Sequence, residues 1–108
     1  MSNLTTIEIT PLNKNMKTLA SYAEGETYRK KFNLDELDKS GDLVYVDIST
    51  KFHSVSYKFF VGMFRGSLET LGNKFSSRYR FMAGNKINAK FSEYTTQFMI
   101  REQVRGQN

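Results

Sequence analysis

A chain of 108 residues, 39% hydrophobic and 25% charged, is long enough to bury one modest core and too apolar for a disordered segment. It has no cysteine, which excludes disulfides, thiolate metal sites and cysteine nucleophiles and fits a reducing, cytoplasmic setting. No apolar run approaches the roughly 18 residues of a membrane span, and the polar stretch from Met1 to Thr10 does not read as a secretory signal. The net charge of +5 is uneven: basic and acidic side chains cancel over residues 1–73, so the whole excess lies in residues 74–108. There Lys74, Arg78, Arg80, Lys86, Lys90, Arg101 and Arg105 face only Glu93 and Glu102. Such an asymmetry describes either a solvated basic face or a surface for an anionic partner.

Thr5 to Thr10 alternates apolar and polar residues with period two and predicts a half-buried strand that Pro11 ends. Thr18-Leu19-Ala20 suits a second short strand. Tyr22 to Lys39 turns helical, and Asn33 followed by Glu36 resembles a capping pair, so a restart is expected near Asn33. Gly41 then supplies a left-handed stop. Leu43 to Ile48 carries the strongest strand signal, the nearly continuous run of a central strand covered on both faces.

Ser56 to Leu71 predicts the principal buried helix, with Phe60, Phe64, Leu68 and Leu71 in one stripe widened by Phe59 and Met63. Gly62 and Gly66 share a second face of that helix. Each costs about 1 kcal/mol of helix propensity relative to alanine, so each implies a close packing contact. Gly72 ends the helix, Arg78 to Met82 predicts another strand, and Ala83-Gly84-Asn85 predicts a turn. A last helix is expected over Lys86 to Val104, with Ile87, Phe91, Tyr94, Phe98 and Arg101 on one face and residues 105–108 frayed. This alternation predicts an α/β domain, one mixed sheet of about four strands packed against two to three helices.

The candidate functional residues cluster behind the central strand. Asp47, Ser49 and Thr50 lie at its carboxyl end, where α/β sheets place their ligand edge. Ser54 and Ser56 precede a strong helix, and one of them is expected to be its N-cap. The sharper reading is phosphorylation of Ser54 or Ser56, since a dianion at a helix N-terminus is stabilised by its free N–H groups and dipole. Asp47 and His53, the single histidine, form too thin a pair for acid–base catalysis or a metal centre. With no Gly-rich phosphate loop, Gly-x-Ser-x-Gly or paired-carboxylate motif, neither an enzyme nor a cofactor is expected.

The segment Val44-Tyr45-Val46-Asp47-Ile48-Ser49 is similar to the hydrophobic strand, closed by an aspartate and a small residue, of the STAS-like family. That family takes its name from sulfate transporters and anti-sigma-factor antagonists. Phe52 to Phe60 resembles the family's loop in which a serine opens the next helix. The helix around Glu24 to Lys31 and Arg101 near the end suit the same layout. The chain departs from the family's Asp-Ser-Ser-Gly motif, reading Ser54-Val55-Ser56-Tyr57 instead. The resemblance implies a single STAS-like domain that binds a protein partner through Asp47, Ser49, Thr50, His53, Ser54 and Ser56. The alternative is a small basic protein binding nucleic acid or a nucleoprotein complex through Lys74, Arg78, Arg80, Lys86, Lys90, Arg101 and Arg105. Such a protein would suit a phage- or mobile-element-encoded inhibitor of host machinery.

Overall fold

The computed structural model describes residues 3–82 and 86–106, residues 102–106 by backbone alone. Strand β1 (Leu4–Ile9) leads to the short β2 (Thr18–Leu19), helix α1 (Tyr22–Phe32) and helix α2 (Leu34–Ser40). Strand β3 (Leu43–Ile48) and the short β4 (Ser54–Val55) precede the long helix α3 (Tyr57–Leu71). A 3-10 turn at Gly72–Lys74 and the single-turn α4 (Phe75–Arg78) bring in β5 (Tyr79–Phe81) and α5 (Lys86–Gly106). The expected turn at residues 83–85 lies outside the described residues, as do residues 107 and 108. Arg105 and Gly106, expected to fray, belong to α5. No described helix is long and apolar enough to cross a membrane.

The α/β class holds, but the sheet is neither single nor mixed. β1, β3 and β5 form a three-stranded sheet in that order, and β2 pairs with β4 apart from it. Every described pairing is parallel, with Ile7 beside Val46 and Ile9 beside Ile48 in the larger sheet. The strand order also decides the layering. Each crossover steps one strand further in the same direction, and right-handed crossovers of that kind deliver their helices to one face of the sheet. Ile7, Ile9, Val44, Val46, Ile48 and Tyr79 are accordingly buried, while Thr6, Glu8, Asp47 and Arg80 on the other face are exposed. The central strand is thus covered on one face and not on both, because no described element folds back over the second.

The core is aromatic. Phe64 meets Phe75, Tyr79, Phe81 and Phe91 edge-on at ring separations of 5.6–5.9 Å, a geometry that ring quadrupoles favour. α1 packs closely on α3 through glycine. A Cβ on Gly62 would strike the carbonyl oxygen of Tyr22, and one on Gly25 would strike that of Phe59. Gly66 lies against the guanidinium of Arg29. These are the close contacts that glycine in a helix requires.

Three local devices set the helix ends. Ser21 and Glu24 form a capping box at the start of α1. Asn33 was expected to pair with Glu36 but makes no side-chain cap; it takes a left-handed φ of 53° and joins α1 to α2. Asparagine tolerates that conformation better than most side chains, so the restart is backbone-driven. Gly41 and Gly72 both have positive φ, as expected of helix stops.

Candidate functional site

Two polar regions stand at opposite ends of the larger sheet. At the amino end, Asp38 on α2 is nearly buried, its side chain 3% exposed. Its Oδ1 accepts a hydrogen bond from the Tyr79 hydroxyl at 2.6 Å, and its Oδ2 accepts from Ser67 Oγ at 2.8 Å and Arg29 Nη2 at 3.0 Å. Arg29 also donates to the Met63 carbonyl, to Ser67 Oγ and to Asp35. Burial, reinforced by the bond to Asp38, raises the Tyr79 hydroxyl well above the ordinary tyrosine range. α1, α2, α3 and β5 are thereby tied through one satisfied network. Its members are committed to one another, which makes it a structural device.

At the carboxyl end, the loop after β1 and the loop after β3 meet around a cleft of about 580 Å³. Thr10, Pro11, Asn13, Lys14, Met16 and Lys17 line one side, and Thr50, Lys51 and His53 the other. The two loops are fastened together. Ser49 N–H donates to the Ile9 carbonyl at 2.9 Å and His53 N–H to the Lys17 carbonyl at 2.7 Å. Asn13 Oδ1 accepts from the Asn15 N–H in an Asx turn, and Ser49 Oγ accepts from the Lys51 N–H. Beneath them the Tyr28 hydroxyl donates to the Thr10 carbonyl at 2.5 Å. Burial, with Glu24 nearby, pushes that hydroxyl up to about 12.

The cleft is one-signed. Lys14, Lys17, Lys51 and His53 are exposed, and no carboxylate lines it. None of the three lysines makes an ion pair among the described residues, where Arg29, Arg65 and Lys90 supply the cationic partners. A shallower neighbouring pocket shares Asn13, Met16 and Lys17 and contains Glu24, whose carboxylate is already held by the N–H groups of Ala20 and Ser21. A third cleft, between α1 and α3, mixes Glu26, Asp35 and Glu69 with Arg29, Lys30 and Arg65, so its charges cancel.

The residues singled out from sequence fall unevenly around this site. Thr50 and His53 line the cleft, and Ser49 shapes its loop. Asp47 sits on the open sheet face beside Glu8, away from the cleft lining. Ser54 is exposed on β4, opposite Thr18. Ser56 is the N-cap of α3, accepting from the Phe59 N–H, and its own hydroxyl donates to the Ala20 carbonyl. That hydroxyl is doubly engaged, so phosphorylation there would break the link between the starts of α1 and α3. Lys14, Lys17 and Lys51 were missed, because in sequence their charges vanish into a balanced region.

The basic last third does not form one stripe. Arg78 donates to the carbonyls of Leu37 and Asp42 at 2.7 and 2.6 Å, closing the end of α2. Arg101 lies 4.6 Å over the ring of Tyr57, a cation–π contact, and Lys90 pairs with Glu93. Lys74 and Lys86 are exposed, and Arg80 projects from the open sheet face. The side chain of Arg105 lies outside the described residues. Among the described residues no group of His, Asp and Glu gathers as a metal site. No protein-family model matches the chain, and no curated protein or solved structure is significantly similar to it.

Proposed function

We propose that this chain is a non-catalytic, STAS-like binding domain that docks a protein partner at the carboxyl end of its sheet. The observation that carries the reading is the meeting of the two strand-exit loops around one open cleft, with Ser49, Thr50, His53 and Ser54 exposed or half-exposed beside it. Strand-exit loops vary freely while the sheet beneath them stays rigid, which suits a docking surface at this end. α1 and α3 each begin a few residues after the cleft loops, behind the Ser21 and Ser56 caps.

The test places a photo-crosslinking residue at Thr50 or, as a control, at Glu69 on the exposed side of α3. Irradiation in host lysate should give one discrete adduct from position 50 that survives nuclease, and none from position 69. An adduct from both positions, or from neither, would reject docking at this end. An adduct lost on nuclease treatment would move the reading to nucleic acid.

A further inference from the structure

We infer that the cleft between the loops after β1 and β3 recognises an acidic, carboxylate-rich segment of the partner protein; this deepens the docking reading above and rests on it. The first ground is uncompensated charge. Residues 1–73 hold as many acidic as basic side chains, yet three of the cations gather around one cleft and none of the anions lines it. The anions are engaged or placed elsewhere: Asp35 and Asp38 hold Arg29, Glu69 holds Arg65, Glu24 caps α1, Glu26 lines the α1–α3 cleft and Glu36 is exposed on α2. Asp42 accepts from Thr5, and Glu8 and Asp47 lie on the open sheet face. Gathering like charges raises the energy of the free chain slightly, and an anionic occupant removes that repulsion.

The second ground is the kind of donor. Lysine ammonium groups on long stems are movable point charges, and Thr10, Thr50 and Asn13 add neutral polar groups around them. Flexible donors of this sort suit carboxylates spaced along a peptide. Nucleic-acid sites of comparable size stack bases on several aromatic rings and arginine planes, whereas the cleft lining has no Phe, Tyr, Trp or Arg and a single ring, the imidazole of His53. Its volume, about 580 Å³, lies within the range of ordinary ligand pockets and accommodates a few side chains. The third ground is anchorage. Tyr28 fixes Thr10, Ile9 fixes Ser49 and Lys17 fixes His53, so the lysines project from loops whose backbones are already ordered. Binding there orders side chains and not main chain, which lowers the entropic cost of association.

The test uses the full chain with two labelled probes, an oligoglutamate peptide and an oligothymidylate of equal charge, at near-physiological salt. Lys14→Ala/Lys17→Ala/Lys51→Ala is compared with Lys74→Ala/Lys86→Ala/Lys90→Ala, which removes the same charge elsewhere. Peptide affinity should fall about tenfold or more in the first variant and less than about twofold in the second. Amide resonances of residues 10–17 and 49–53 should shift in the wild type. Equal losses in the two variants would overturn the inference by reducing it to bulk charge. Tighter oligothymidylate binding at the same amides would overturn it in favour of nucleic acid. If the position-50 adduct still forms in the first variant, docking stands and the acidic-segment inference falls. If peptide binds the cleft but no position-50 adduct forms, the docking reading falls instead.

Discussion

The amino end of the sheet closes its charges on one another, and the carboxyl end leaves them open. Arg29, Asp38, Ser67 and Tyr79 come from four elements and satisfy each other within 2.6–3.0 Å. Lys14, Lys17, Lys51 and His53 come from two loops and line one cleft with no carboxylate in its lining. Both regions bring like numbers of polar side chains together, so polarity alone does not mark a site. What separates them is compensation. A buried charge without a partner is strongly destabilising, so the interior network has to be complete. An exposed lysine is well hydrated, so a cluster of them survives unpaired and stays free to bind.

The largest expected effect breaks the closed end. Asp38→Ala leaves Arg29, Ser67 and Tyr79 without their shared acceptor, and about 3–5 kcal/mol of stability should be lost in urea unfolding. Oligoglutamate affinity, measured where the variant remains folded, should be unchanged if the two ends are independent. A variant that unfolds with wild-type stability would show that the network is ornamental.

A smaller effect belongs to Tyr28, whose hydroxyl holds the cleft loop from the core. Its folded-state value of about 12 lies above the ordinary 10.0, so folding favours the protonated form. The corresponding stability is fully present below pH 10 and is lost as pH rises from 10.0 towards about 12. Tyr79, shifted in the same direction, adds to the same alkaline loss. Tyr28→Phe should flatten part of this decline while Tyr79 maintains the rest. Unfolding free energies measured across that window would check it, and an unchanged slope would contradict it.

The smallest expected effect belongs to the open end. Lys14→Ala/Lys17→Ala/Lys51→Ala should leave stability within about 0.5 kcal/mol of wild type, since exposed substitutions away from caps and cores rarely do more. A loss several times larger would mean that the lysines support the loops, and the contrast between the two ends would collapse.

The features legible in sequence were those set by neighbours along the chain. The β-branched run at Leu43–Ile48 and the apolar stripe of Phe60, Phe64 and Leu68 gave β3 and the buried face of α3. Gly41, Gly72 and the Ser56 cap marked helix ends through backbone and hydrogen-bond chemistry acting within one turn. Glycine at positions 62 and 66 announced close contacts without saying with what. The Asn33–Glu36 spacing located the restart between α1 and α2, but its chemistry differs: Asn33 makes no side-chain cap and serves as a left-handed joint.

Composition and periodicity by themselves determined an α/β chain with its main elements in order, because hydrophobic period and helix stops are local properties. Tertiary structure alone decided that the described strands pair in parallel and that their progressive order brings the described helices to one face of the larger sheet. It decided that Arg78 closes α2 and that Asp38 meets Tyr79. It also decided that three lysines from a charge-balanced stretch share one cleft. The physical reason is common to these outcomes: strand order, burial of a charge and the pairing of side chains depend on which distant segments meet, and a net charge counted along the chain does not record where its members are brought together.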